Sequence, residues 1–156
     1  MPQDTKNYFA WADNGRHLHL SVGAVIENGK GELLVMHLPN IDTPYFFPAK
    51  THHPDQTLEG TLQLVTKEIG WELEILEYLG STTAKFPVPN DPMQVAKTTL
   101  WFKCKPVSQI ERDKEDRDFP AEVRWETAKR LSVISAEQSG VAEIGDLRPV
   151  INLLQQ

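Results

Sequence analysis

The sequence predicts a single domain over residues 1–156 that combines helices with a β-sheet, an α/β (α+β) fold. One segment has the periodicity and the end residues of an amphipathic helix, and several others have the alternating or continuously apolar character of strands. The chain has 156 residues, of which 40% are hydrophobic and 24% charged. This is enough for one soluble domain with a buried core.

The most clearly marked helix lies between Thr57 and Gly70. Its apolar residues recur with a four-three-four spacing that places them on one face: Leu58, Leu62, Val65 and Ile69. The hydroxyl of Thr57 can cap the first free amides, and Gly70 can adopt the left-handed conformation that ends a helix. At about 100° per residue, four side chains lie off this stripe and are expected to face the loop 49–56: Gln63, Leu64, Lys67 and Glu68.

Strands are predicted on both sides of this helix. The strand-like segments are residues 17–26, 32–38, 71–78 and 97–104. The turn residues Asn28 and Gly29 predict that the first two segments form a hairpin. Residues 81–92 contain three prolines, which predicts a long exposed connection.

The two ends of the chain add a leading segment and a final helix. Residues 1–15 are interpreted as a short strand or a lid. Residues 111–118 carry mixed charges without apolar anchors, which predicts a flexible, solvated loop. A helix-like segment follows Trp125, and Asp146 can cap a final helix that we expect to cover the sheet.

Residues 46–71 resemble the signature of the Nudix hydrolases, which is written G, five residues, E, seven residues, R-E-U-x-E-E-x-G-U, where U is aliphatic. Anchored on Gly70, the alignment has no gaps. Ala49 stands at the first glycine, Asp55 at the first glutamate and Gln63 at the arginine. The three helical glutamates correspond to Leu64, Lys67 and Glu68. This resemblance implies an α/β/α sandwich with a central mixed sheet.

The resemblance also implies a chemistry, because the family's helical glutamates hold a magnesium ion that bridges a diphosphate and activates water. In this sequence Glu68 retains its carboxylate, and Asp55 is a shorter acidic substitute. Leu64 supplies no oxygen, and Lys67 brings a positive charge to the place of the metal. The resemblance therefore predicts a relative of the hydrolases of nucleoside diphosphates linked to another moiety, with impaired or lost metal-dependent catalysis.

The candidate site residues follow from this alignment. Asp55 and Glu68 are the candidate metal ligands, for magnesium or manganese if the protein is active and for no cofactor otherwise. Glu68 and Glu122 are the candidate catalytic residues, since the family often adds a glutamate from a late loop, for which Glu115 is the other candidate. The candidate substrate-binding residues are Lys50, His52 and Lys67, which offer cationic or neutral donors.

Two hypotheses therefore remain open. In the first, the protein is an active Nudix-type pyrophosphohydrolase that uses Asp55, Glu68 and a late-loop glutamate with magnesium. In the second, it is a non-catalytic module that binds a nucleotide or a partner on the same scaffold. The expected ligand is a small-molecule nucleotide or diphosphate compound.

Composition excludes several other classes of function. The formal net charge of −6 argues against a nucleic-acid backbone as the main partner. No apolar run is long enough to span a bilayer, and the amino end lacks the pattern of a signal peptide. Cys104 is the single cysteine and is expected in the core, which fits a cytoplasmic location. The oligomeric state stays open, with a homodimer among the options.

Overall fold

The computed structural model describes residues 9–12, 16–41, 43–87, 94–116, 119–138 and 145–156. The strands are β1 (Phe9–Ala12), β2 (Arg16–Ile26), β3 (Leu33–His37), β4 (Tyr45–Phe46), β5 (Ala49–Thr51), β6 (Trp71–Pro87), β7 (Gln94–Gln109) and β8 (Glu122–Glu126). The helices are α1 (Leu58–Ile69), α2 (Ala128–Gln138) and α3 (Arg148–Leu154). The described part of the chain contains no helix that is both long and apolar enough to cross a membrane.

The main sheet is mixed, as the resemblance implied. Its five strands follow the order β1-β2-β7-β6, and β5 also pairs with β2. Strands β2 and β7 are parallel, whereas β1, β5 and β6 pair antiparallel with their neighbours. Because β7 occupies one edge of β2 along its whole length, β1 and β5 share the other edge. A second, antiparallel sheet has the order β4-β3-β8.

Alternation along β2 and β3 divides the core into two apolar clusters. One cluster joins the inward face of α1 to the sheets through Val22, Ala24, Ile26, Leu34 and Met36. The other joins α2 and α3 to the opposite side through Val25, Leu33, Val35 and Trp101. Successive strand residues point to opposite faces, so each strand serves both clusters. Helices therefore cover both sides, and the predicted α/β/α arrangement with a central mixed sheet is confirmed.

The predicted hairpin of β2 and β3 is wrong. A single bridge joins Glu27 to Leu33 around the turn, and the two strands then enter different sheets. Beyond this bridge β3 pairs with β4 and β8. The turn was visible in the local sequence, but the strand partners were set by distant segments.

The predicted exposed connection at 81–92 is wrong over its first half. Strand β6 continues to Pro87, where its last residue lies opposite Gln94 of β7. Because β6 is the last strand in the order of its sheet, a proline at its end breaks no ladder between two neighbours. Pro89 and Pro92 lie outside the described residues.

Helix α1 begins and ends at the residues that the sequence indicated. Thr57 accepts a hydrogen bond from the amide of Gly60 at 3.0 Å. Gly70 has φ of 78°, and a Cβ there would lie 2.7 Å from Cγ of Arg112, so a side chain is excluded on two grounds. Leu62, Val65 and Ile69 are buried, whereas Leu58 is exposed at the first turn.

Cys104 provides a test of the core. Its side chain is buried in the α1 cluster, and burial raises the pKa of the thiol to about 11. Because the thiolate is the reactive form, the folded protein should react with a disulfide reagent at pH 8 only as fast as it opens. Ellman's reagent should modify the denatured protein rapidly and the folded protein slowly. Rapid and complete labelling of the folded protein would contradict the burial of this thiol.

Candidate functional site

Three elements meet at the ammonium group of Lys50. Lys50 lies on β5, and its Nζ is 2.9 Å from Oε2 of Glu68 on α1. The same nitrogen is 2.6 Å from Oδ2 of Asp116, in the connection between β7 and β8. A strand, a helix and a late loop are thus joined through one cation and two carboxylates.

The direction of each side chain follows from the regular structure around it. Lys50 lies opposite Val22, and Val22 packs in the α1 cluster, so Lys50 faces α1. Thr61, Val65 and Glu68 are separated by four and three positions and therefore share one side of the helix. All three are buried. This side of α1 faces β5, the strand that carries Lys50.

The other signature positions of the helix are open to solvent. Gln63, Leu64 and Lys67 are exposed, whereas Glu68 is buried. The sequence placed Lys67 at the metal position, but the ammonium that contacts Glu68 belongs to Lys50. Lys50 was predicted as a substrate-binding residue, and the structure shows it paired with acidic groups of the protein itself.

The electrostatic surroundings keep Lys50 charged. Burial acts to lower its pKa, but the negative charge of Glu68 and the hydrogen bonds to Asp116 and Glu68 act in the opposite direction and prevail. The pKa of Lys50 consequently lies above its ordinary value. At neutral pH this group is an ammonium ion and is not available as a base.

The loop that supplies Asp116 is docked onto the end of α1. The guanidinium of Arg112 donates to the backbone carbonyl of Glu68 at 2.8 Å and to that of Ala121 at 2.9 Å. The amide of Asp113 donates to the carbonyl of Lys67 at 2.9 Å. These bonds satisfy carbonyls that a helix end leaves open. The described part of the predicted solvated loop at 111–118 is mostly exposed, but Arg112 and Asp116 are partly buried and bonded to the rest of the fold, which the prediction missed.

The late-loop carboxylate at the site is that of Asp116, which sequence reasoning did not single out. Glu115, its neighbour, is exposed. Glu122 lies on β8, where its carboxylate forms an ion pair with Arg124 at 2.8 Å. The structure thus brings Asp116 to the site from the same connection as Glu115, whereas Glu122 lies on the strand that follows.

Asp55 and His52 occupy the loop before α1. Asp55 is exposed in a turn. His52 lies two residues after Lys50, and its Nδ1 forms a hydrogen bond of 2.7 Å with Oγ1 of Thr61. Lys50 and His52, two residues apart, therefore contact two different turns of α1, at Glu68 and Thr61.

The family's divalent ion does not fit this arrangement of donors as it stands. Within the described ranges, no group of three or more His, Cys, Asp or Glu side chains could hold a metal ion. Glu68 and Asp116 converge, but the ammonium of Lys50 lies between their oxygens. An ammonium and a divalent cation repel each other strongly at such distances.

A cavity of about 350 Å³ lies on the opposite face of the main sheet. Ala49, the residue before Lys50, lines it and lies opposite Gly23. The ring of Trp101 lies directly against Gly23, in the space that a Cβ would take. The apolar walls include Phe46, Phe47, Trp101, Leu147 and Val150. Polar side chains at the cavity include Thr82, Thr83, Thr99, Lys97 and Asp146.

Asp146 at the edge of this cavity is held by its neighbour. Arg148 donates hydrogen bonds of 2.8 Å to each of its oxygens, and these bonds lower the pKa of the Asp146 carboxyl despite its partial burial. Asp146 also accepts the amide of Arg148 at 3.0 Å, at the start of α3. The N-cap of α3 is nevertheless Leu147, which makes no side-chain capping hydrogen bond, so the prediction that Asp146 caps this helix is wrong.

Comparison with known families identifies the class of protein. A model of the NUDIX domain matches residues 17–145, which is most of the chain. The chain therefore belongs to the Nudix family. Members of this family generally use divalent metals and act on small-molecule nucleoside diphosphates. No curated protein sequence gives a match.

Solved structures show the same fold at low sequence identity. A MutT protein from Methanosarcina mazei Go1 is 22% identical over 73% of this chain and 80% of its own, with a TM-score of 0.53. A Nudix hydrolase from Nitrosomonas europaea is 16% identical over 76% and 78%, with a TM-score of 0.57. A UDP-X diphosphatase is 13% identical over 87% and 62%, with a TM-score of 0.56.

The pair of Lys50 and Glu68 predicts a large effect on stability. Glu68→Gln removes a buried charge and leaves Lys50 with one carboxylate, so we expect the free energy of unfolding to fall by about 2 to 3 kcal/mol. Lys67→Gln is the matched control, because it removes a charge from the exposed residue next to Glu68 in the sequence. It should change the free energy of unfolding by less than about 0.5 kcal/mol. Urea denaturation measures both. Equal effects of the two substitutions would contradict the assignment of Lys50 as the partner of Glu68.

Proposed function

We propose that this protein binds a nucleotide or another diphosphate-containing small molecule on its Nudix scaffold, and that its metal-dependent hydrolysis is impaired or lost. The observation that carries the proposal is the arrangement of the three helical signature positions. Leu64 and Lys67 carry no carboxylate and are exposed, and Glu68 is turned inward to an ammonium group. This arrangement leaves one of the three helical carboxylates, and an ammonium group already neutralises it, which is unfavourable for a catalytic magnesium ion.

The cavity supports the binding part of the proposal. Its volume and its mixture of aromatic walls with a few hydroxyl and charged groups are typical of small-molecule sites. Aromatic rings offer stacking surfaces for a flat heterocycle, and the threonine hydroxyls and Lys97 offer hydrogen bonds. Because Ala49 and Lys50 are consecutive on β5, the cavity and the charged site are connected by one short strand.

An active hydrolase is the second candidate, and one observation favours it. Asp116 brings a second carboxylate to Glu68, and magnesium in phosphate-processing enzymes is often held by one or two carboxylates together with the substrate. Asp55 would complete this candidate set from the exposed loop. A linked nucleoside diphosphate, as the name of the UDP-X diphosphatase indicates for that protein, is then the candidate substrate. Activity in this case requires Lys50 to leave the carboxylates.

The location and the partners belong to the same proposal. A cytoplasmic protein with a small-molecule ligand fits the buried cysteine and the net negative charge of the chain. The negative charge is unfavourable for nucleic acid as the main partner. A homodimer stays a prediction.

Ligand binding without metal tests the proposed function. We expect UDP, ADP or a UDP-sugar to raise the Tm in the presence of EDTA, since a ligand at about 100 times its Kd adds about 2.7 kcal/mol. Ala84→Trp should abolish the shift by filling the cavity. Lys85→Trp places the same ring on the exposed next residue of β6 and should preserve the shift.

The same ligands incubated with magnesium or manganese should remain intact when followed by chromatography. Magnesium-dependent release of a nucleoside monophosphate at the rate of an ordinary enzyme would overturn the proposed loss of catalysis. Absence of any ligand-induced shift across the panel would overturn the proposed binding.

Restoration of the signature tests the alignment. Leu64→Glu together with Lys67→Glu adds two carboxylates to the turn that carries Glu68, so we expect an increase in affinity for manganese. Leu58→Glu with Lys129→Glu, at exposed helical positions that do not align with a glutamate of the signature, controls for added negative charge. A correctly folded signature variant with unchanged affinity, measured by calorimetry, would refute the register of the alignment.

A further inference from the structure

We infer that the ammonium group of Lys50 is the resident cation of this site, and that its removal converts Glu68 and Asp116 into a binding site for a divalent cation. This inference rests on the proposed loss of metal-dependent catalysis and names its physical cause. The replacement of the helical glutamates, visible in the sequence, weakens the ligand set. Lys50 would in addition occupy the position that the ion needs.

The geometry supports a shared centre. Oxygens of Glu68 and Asp116 lie 2.9 and 2.6 Å from one nitrogen atom, so both carboxylates face the same point. A magnesium ion takes oxygen ligands at about 2.0 to 2.1 Å. The two carboxylates therefore need only a small inward movement to hold an ion where the ammonium lies.

Burial makes a cation necessary at this point. The side chain of Glu68 is 0% exposed, and that of Asp116 is 11% exposed. Two carboxylates that face each other away from water repel strongly unless a positive charge lies between them. Lys50, whose side chain is 20% exposed, supplies that charge from within the chain. A cation that is covalently attached is always present, so a free ion must displace it.

The balance of charge gives the direction of the expected effect. Two carboxylates and one ammonium leave a formal charge of −1 among Lys50, Glu68 and Asp116. Replacement of Lys50 by a neutral residue of similar length leaves −2, which a divalent ion neutralises. A local charge of this kind attracts a divalent cation, and the vacated volume lies between the two acidic groups.

Lys67 offers a discriminating comparison. It is adjacent to Glu68 in sequence and carries the same charge, but it lies on the exposed side of α1. Its removal changes the net charge as much as removal of Lys50 does and leaves the ammonium between the carboxylates in place. A difference in manganese affinity between the Lys50 and Lys67 variants therefore depends on where the removed charge lies and not on the net charge of the protein.

The experiment is a calorimetric titration with manganese chloride and magnesium chloride, without nucleotide. Lys50→Met should bind manganese at least about tenfold more tightly than the wild-type protein, a difference of 1.4 kcal/mol. Lys67→Met should behave as the wild-type protein. Addition of Asp116→Asn to Lys50→Met should remove the gain. Manganese should also raise the Tm of Lys50→Met and leave that of the wild-type protein unchanged.

Two results would overturn the inference. One is a folded Lys50→Met protein whose manganese affinity equals that of the wild-type protein. The other is tight manganese binding by the wild-type protein that Asp116→Asn abolishes, since this places the ion at the site with Lys50 present. The second measurement stands even where Lys50→Met does not fold, because it uses the wild-type protein and a substitution in a loop.

The outcome is separable from that of the proposed function. The wild-type protein could fail to bind any nucleotide while the Lys50→Met variant gains a manganese site. This result would contradict the proposed ligand and support the proposed role of Lys50. The reverse result is also possible: the wild-type protein binds nucleotide in EDTA without turnover, and it binds manganese at Glu68 and Asp116. This result would support the proposed ligand and contradict the proposed role of Lys50.

Discussion

An ionised carboxylate that is buried away from water is costly unless a positive charge or hydrogen-bond donors lie beside it, and this constraint governs the region around Glu68. Lys50 satisfies it from β5, and the same ammonium attracts Asp116 from the connection between β7 and β8. These two ion pairs thus join β5, α1 and the late loop. The hydrogen bonds of Arg112 to the carbonyls of Glu68 and Ala121 hold that loop at the end of the helix.

The short strand β5 links this charged centre to the cavity. Its alternation sends Lys50 toward α1 and Ala49 toward the cavity on the other face. In the proposed function the cavity binds the ligand, and the charged centre no longer supplies metal-dependent chemistry. A Nudix scaffold can lose its reaction in this way without losing its fold, because the apolar clusters on both sides of the sheet do not involve the signature carboxylates.

Local features were predictable from the sequence, and the partners of distant segments were not. The ends of α1 at Thr57 and Gly70 depend on neighbouring residues, and both are where the pattern placed them. The predicted hairpin is wrong because β3 pairs with β8, a segment about 90 residues further along the chain, and β2 pairs with β7. Asp116 lies in a run of mixed charges with no local feature that distinguishes it. The alignment places a positive charge at Lys67, next to Glu68, but helical geometry separates neighbours by about 100° and turns Lys67 to solvent.

A crystal structure of the wild-type protein grown in manganese chloride tests the central claim most directly. Anomalous scattering locates manganese independently of the surrounding side chains. The account predicts that Nζ of Lys50 lies within hydrogen-bonding distance of both carboxylates and that no anomalous peak lies between them. A manganese ion ligated by Glu68 and Asp116, with the side chain of Lys50 displaced, would contradict it.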